Sequence, residues 1–209
     1  MISAKPTPEE IRLSLFNAAK TIFLRDGIVN AEMKTIAAEA GLSRSTLYRY
    51  MIDKNQLAFL VATDVLEDLT NKSNVCTSEA GLSGFEKLSQ FITHFADILC
   101  NNVELVSFLS EFDSIFRGDY PDIPEAEDYV ASTNRMLHRA AQFLFEGMAD
   151  GSIRTIDDPL FITSVIINTL FGLAERMLPR SDHYIREHHT SGERVLQAIT
   201  DILLAHIKG

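Results

Sequence analysis

Cysteine is almost missing from this chain: Cys76 and Cys100 are the only two. Their spacing is not that of a metal site, so both read as free thiols of a reducing cytoplasm rather than as a disulfide framework. Long hydrophobic runs are missing as well. The most apolar stretch, Leu160 to Leu173, is interrupted by Thr163, Ser164, Asn168, Thr169 and Gly172. It falls short of the ~18–20 continuous apolar residues a membrane span needs, so no membrane partner is expected. The opening Met1-Ile2-Ser3-Ala4-Lys5-Pro6-Thr7-Pro8 has no apolar run of the kind a secretion signal carries. There is no glycine-rich phosphate loop, no His-Glu-x-x-His, no clustered Cys/His set and no nucleophile elbow. His188-His189 is the one pair that suggests a metal, but neighbours on a helix point about 100° apart and seldom chelate one ion. No metal, no cofactor and no enzyme activity are expected.

Positive charge is scarce overall, with a net of −10. The deficit is uneven. Residues 1–65 carry eight Lys/Arg against seven Asp/Glu, whereas residues 66–209 carry eleven against twenty-two. Phosphate attraction depends on the local field, which decays over about 8 Å at physiological salt. An acidic body is therefore compatible with a nearly neutral DNA-binding end, and it discourages non-specific adhesion to DNA.

Strand-like alternation, internal repeats and low-complexity tracts are also absent, and the hydrophobic period is helical nearly throughout. The spacing predicts an all-α chain of about nine helices. Thr7-Pro8-Glu9-Glu10 opens the first with a capping box and a proline at the first helical position. Ile11, Leu15, Ala18, Ala19, Ile22 and Phe23 line its inner face, and Gly27 stops it. Short helices follow from Met33 to Ala40 and from Ser43 to Tyr50, then a longer one from Lys54. Further helices are expected from the capping box at Ser83-Gly84-Phe85-Glu86, over Val103–Phe116, over Glu125–Ala149 with Gly151 as its cap, and from Asp158-Pro159 to Pro179. The last starts from a box at Thr190-Ser191-Gly192-Glu193. The expected division is residues 1–53 for a three-helix helix-turn-helix domain and 54–209 for a helical effector-binding and dimerisation domain.

The informative segment is Ile36-Ala37-Ala38-Glu39-Ala40-Gly41-Leu42-Ser43-Arg44-Ser45-Thr46-Leu47-Tyr48-Arg49-Tyr50. Gly41 allows a tight turn, and small Ala37 and Ala40 let two short helices cross closely. Ile36, Leu42 and Leu47 point inward. Arg44, Ser45, Thr46, Tyr48 and Arg49 are left outward, a set without a carboxylate and rich in donors for phosphate oxygens and base edges.

These residues resemble the DNA-binding domain of the TetR family of regulators. Leu15-Phe16-Asn17-Ala18-Ala19, Ile22-Phe23 and Gly27 match its first helix. Ile36-Ala37, Ala40-Gly41-Leu42-Ser43, Thr46-Leu47-Tyr48, Tyr50, Lys54 and Leu57 match its helix-turn-helix and the start of its fourth helix. The resemblance covers roughly residues 10–60 and implies a dimeric, DNA-binding transcriptional regulator, commonly a repressor. It implies that Ser43, Arg44, Ser45, Thr46, Tyr48, Arg49 and Tyr50 form the recognition helix, with Lys34 and Lys54 on phosphates. Arg44 and Arg49 are the candidates for a guanine edge, and Tyr48 for the backbone or a thymine methyl. The sequence departs from the family pattern at Ala31 and Glu32, where hydroxyl residues are common, so Asn30 is expected to cap one residue early. Met51 stands where a Phe is common and is expected to fill the core.

In the acidic body, the helix from Asp158 is apolar on more than one face, so one side needs a partner. The resemblance implies a four-helix bundle between two copies, and Phe161, Val165, Val195, Ile199, Ile202 and Leu203 are the expected interface. A two-fold dimer implies a palindromic operator. Phe91, Phe95, Phe108, Phe112, Phe116, Met136, Phe143, Phe161 and Phe171 are candidates to line a pocket for an apolar effector; each alone reads more readily as core, and the pocket reading is that some of them line a cavity. Phe145 and Met148 share that reading, and Asn168, Glu175 and Arg117 are polar candidates for a ligand head group. The competing readings are an enzyme, for which no motif speaks, and a helical interaction module without DNA contacts, against which the retained Arg44, Thr46, Tyr48, Arg49 and Lys54 argue.

Overall fold

The computed structural model describes residues 7–50, 53–74 and 81–209; Met51, Ile52, Cys76 and the side chains of Arg44 and Tyr48 lie outside the described residues. Among the described residues the chain is helical, with α1 Pro8–Asp26, α2 Met33–Glu39, α3 Arg44–Arg49, α4 Lys54–Ser73, α5 Gly84–Asn101, α6 Val103–Ile115, α7 Pro124–Asp150, α8 Pro159–Met177, α9 Ser181–His188 and α10 Gly192–Ile207. The expected nine are present. The addition is α9, which follows a 3-10 turn over Leu178–Arg180 and has no buried residue, so no apolar stripe announced it.

Local hydrogen bonds explain most helix starts. Thr7 and Glu10 form a reciprocal capping box, as do Ser83 and Glu86. Asp53 and Gln56 do the same for α4: Gln56 N–H donates to Asp53 Oδ1 at 2.8 Å and Asp53 N–H to Gln56 Oε1 at 3.1 Å. Asp158 accepts from Phe161 N–H with Pro159 at the first helical position. The start of α10 differs from expectation. The cap of α10 is Ser191, accepting from Arg194 N–H, which shifts the helix by one residue and leaves Glu193 without the reciprocal bond.

The chain divides into two compact units, Met1–Asp64 with Ser107–Tyr129 and Val65–Val106 with Val130–Gly209. In the first, Ile11, Leu15, Ala18, Ala19, Ile22 and Phe23 of α1 are buried as their spacing requires. Phe59 is the hub of an aromatic cluster: its ring lies 4.9 Å from Phe112, 4.7 Å from Phe116, 5.3 Å from Tyr120 and 5.8 Å from Tyr129. Each such pair adds about 0.5–1.5 kcal/mol beyond the area it buries.

In the second unit α8 packs on α5 and α10, and α10 packs on α5. The close approach of α5 and α7 rests on Gly84, where a Cβ would fall 1.9 Å from the Gly147 nitrogen. Asp150 and Ser152 cap the same corner, accepting from the Gly84 and Phe85 amides at 2.8 and 3.0 Å. Cys100 is free, and burial pushes its thiol up to about 11. The interruptions in Leu160–Leu173 do not prevent the helical run Pro159–His188 from being long and apolar enough to cross a membrane by length and composition. The buried face of α8 is taken up by its neighbours, with Ile166, Ile167, Leu170 and Ala174 buried.

Candidate nucleic-acid interface

The site begins with the end of α2. Leu42 N–H donates to the Ala37 carbonyl at 2.8 Å and Gly41 N–H to the Ala38 carbonyl at 3.0 Å, the paired bonds of a Schellman ending. Gly41 carries φ +69°, a left-handed conformation that a side chain would strain. Ser43 then caps α3: its Oγ accepts from Thr46 N–H at 3.1 Å and lies 2.8 Å from Ser45 Oγ and 2.9 Å from Thr46 Oγ1. This turn aims α3. Buried Leu47, with Ile36 and Ala37 beneath, anchors its inner side.

Ser45 and Arg49 are exposed, while Thr46 and Tyr50 are half-buried. The Arg49 guanidinium lies over the Tyr50 ring at 5.4 Å from its centroid, a cation–π contact. Ser43 serves first as a cap, so its hydroxyl is already engaged. The placements expected for the side chains of Arg44 and Tyr48 lie outside the described residues, although both belong to the α3 backbone.

The flanking cations are occupied locally. Lys34 pairs with Glu32 at 2.6 Å on an exposed surface, and this hydrogen bond lowers the Glu32 carboxyl below its ordinary value. Such exposed pairs contribute ~0–1 kcal/mol, so a phosphate competes for the lysine readily. Lys54 Nζ donates to the Val29 carbonyl at 3.0 Å, tying the start of α4 to the loop after α1. Asn30 does not cap α2. Its Nδ2 donates back to the Asp26 carbonyl at 3.0 Å, and Glu32 takes the cap position without a side-chain bond. The physical reason is proximity: the free carbonyls at the end of α1 lie within reach of a donor amide, which an N-cap does not need.

Two contributors escaped sequence inspection. Asp53-x-x-Gln56 is a legible capping pattern just ahead of α4. Glu111 has no local signal at all, yet its carboxylate accepts from Ile28 N–H and Val29 N–H in the loop that carries Lys54's acceptor.

The aromatic candidates for an effector pocket separate into groups. Phe108, Phe112 and Phe116 belong to the first unit, around Phe59 and Phe23. In the second unit Phe91 meets Phe143 with centroids 6.0 Å apart, and Phe95 meets Phe171 at 5.5 Å. Met136 is buried there as well, whereas Phe161 is 61% exposed and Asn168 is exposed on the same side of α8.

Comparison with known proteins agrees with this geometry. Residues 15–61 match the family model of bacterial regulatory proteins, tetR family. The transcriptional repressor KstR2 of Mycolicibacterium smegmatis is 28% identical over 149 residues, 70% of this chain and 69% of that protein. In structure, the ketosteroid transcriptional regulator KstR2 of Mycobacterium tuberculosis is similar with a TM-score of 0.64 at 16% identity, covering 95% of each chain. FadR of Bacillus subtilis, solved with stearoyl-CoA, is similar with a TM-score of 0.69 at 16% identity over 94% of this chain and 99% of that one. The glycine-turned pair of short helices lies inside the matched segment: residues 15–61 of this chain carry the N-terminal domain of the tetR family of bacterial regulatory proteins.

Proposed function

We propose that the chain is a cytoplasmic repressor that binds a palindromic operator as a homodimer and releases it when an apolar small molecule enters the C-terminal helices. The observation that carries the DNA reading is the presentation of α3. A six-residue helix without a carboxylate is pinned inward by Leu47 and outward offers Ser45 and Arg49, with Thr46 at its edge. Arg44 and Arg49 read guanine edges, Tyr48 and Tyr50 contact backbone or thymine methyls, and Lys34 and Lys54 exchange their local partners for phosphates.

Dimerisation is supported by apolar surface on α8 and α10. Phe161, Val165 and Ile202 are exposed, with Val195, Ile199 and Leu203 half-buried beside them. Gly172 sits on the same exposed stripe as Phe161, Val165 and Asn168, with open space around it that a second helix fills. An apolar effector is supported by the ring pairs of the second unit, Phe91 with Phe143 and Phe95 with Phe171, together with Met136. That the FadR neighbour holds stearoyl-CoA supports a ligand with a long apolar part. The effector shifts the operator equilibrium only by its differential affinity for the two body conformations.

The test starts from an operator selected out of random duplex. Arg49→Ala is expected to cost about 1–3 kcal/mol on the selected sequence while leaving the sedimenting species a dimer. Binding should weaken log-linearly as salt rises. A single sedimenting subunit, or equal binding by the variant, overturns the proposal.

A further inference from the structure

The second unit contains a cavity whose chemistry the apolar effector reading does not use. It has a volume of about 350 Å³ and is lined by Glu67, Thr70 and Asn71 of α4 and by Ser132, Arg135 and Arg139 of α7. The spacings place one face of each helix on it, and the lining is polar throughout. The excess charge is positive, in a region where acidic residues outnumber basic ones by two to one. Arg135 donates to Glu67, so one guanidinium is balanced by one carboxylate. Arg139 has no ion pair among the described residues. It donates to Gln142 Oε1 at 3.3 Å and lies over the Phe143 ring at 5.6 Å from the centroid. Gln142 in turn donates to Glu146, whose other oxygen is held by Lys87. The carboxylate nearest in this chain of bonds is therefore already committed elsewhere.

Two guanidinium groups at i and i+4, with hydroxyl and amide groups around them, match an oxyanion that accepts several hydrogen bonds at once. Phe143, beneath Arg139, is also in ring contact with buried Phe91. An anion held at Arg139 therefore stands next to the aromatic core of the same unit. We infer that this cavity is an anion-binding site, formed by Arg135 and Arg139 against α4, for the carboxylate or phosphate head of an amphiphilic molecule. The head displaces Glu67 from Arg135, and the apolar tail extends toward Phe143. As a head-group site the inference rests on the effector reading; the binding itself does not, and it is measured without DNA.

The experiment is calorimetric titration of the full-length protein with octyl phosphate, with inorganic phosphate and with octanol. Octyl phosphate is expected to bind more tightly than either of the others. Arg139→Gln should weaken it by about tenfold or more, and Arg135→Gln by a similar factor. Glu67→Gln should tighten it several-fold, because the competing carboxylate is gone, an effect that general damage to the fold does not produce. Unchanged thermal melts of these exposed-site variants serve as the folding control. Equal affinity for octyl phosphate and inorganic phosphate makes the site a free-oxyanion site and overturns the tail placement. Affinity unchanged in Arg139→Gln, or no binding to the wild-type protein at millimolar ligand, overturns the whole inference. If octyl phosphate binds through Arg139 and operator affinity does not move, the anion site stands and the switch fails. If octanol alone releases operator, with no dependence on Arg139, the switch stands and the head-group site fails.

Discussion

Glu111 accepts a hydrogen bond from the main-chain amide of Ile28 at 2.6 Å across 83 residues of sequence, and its second oxygen takes the next amide, that of Val29, at 3.0 Å. One side chain of α6 thereby satisfies two successive donors in the loop between α1 and α2. The Val29 carbonyl of that loop is the acceptor for Lys54, so a residue proposed to meet phosphate shares its anchor with Glu111. Glu111→Ala leaves both amides without their acceptor and should lower stability by about 1–3 kcal/mol, read as a shift of the urea midpoint. Operator affinity should fall as well, because α2 starts from this loop. Glu111→Gln, which keeps one acceptor oxygen, should recover part of both losses. An Ala variant with unchanged midpoint and unchanged affinity would show that the contact is incidental.

Phe59 packs against four other rings and is fully buried. Phe59→Ala should cost about 3–5 kcal/mol, through lost transfer energy and the cavity left behind. Leu13 is a large apolar residue on the outside of α1, 59% exposed. Leu13→Ala should stay within about 0.5 kcal/mol of wild type. Chemical denaturation of the two variants side by side checks the contrast. A small effect at Phe59 would mean that the cluster repacks freely.

Gly84 is a test of backbone approach rather than of flexibility. It lies inside the first turn of α5, where alanine would normally favour the helix. Its Cβ would instead meet the Gly147 main chain at 1.9 Å, and backbone cannot give way as a flexible side chain does. Gly84→Ala should therefore destabilise by about 3 kcal/mol or more, against the sign that helix propensity alone predicts. Gly118→Ala meets nothing within 4 Å and should be close to neutral. Thermal melts of both distinguish the effects.

The capping carboxylates set the acid limit. Glu86 is held below its ordinary value of 4.5, first by the Ser83 main-chain amide and then by the Ser83 hydroxyl. Glu10 is lowered in the same way by Thr7. A carboxyl whose folded value is depressed adds stability that is present above its unfolded value and disappears as pH falls through the folded one. Melting temperature should therefore decline between about pH 5 and pH 3, and Glu86→Gln should lower the neutral-pH value and flatten that decline, so that the two proteins converge in acid. An identical acid slope in the variant would remove Glu86 from the account.

How much of this was legible depends on how far apart the interacting groups lie. The buried face of α1, the turn at Gly41, the cap at Ser43 and the boxes at Thr7 and Ser83 each involve residues a few positions apart. Their hydrogen bonds and their 3.6-residue period are written directly into neighbouring letters. Asn30 shows the edge of that method. Its local pattern suited a cap for α2, but the free carbonyls of α1 were the nearer partner.

The amino-acid order by itself therefore determined the helical class, the outward donor face of α3 and the match of residues 15–61 to the tetR family. Tertiary structure alone decided that Glu111 reaches back to residues 28 and 29, that Gly84 and Gly147 touch, that the phenylalanines separate into distinct clusters, and that Arg135 and Arg139 share a cavity with α4. The reason is physical: helix formation follows from bonds between near neighbours, whereas which distant faces meet depends on how whole helices fill space together.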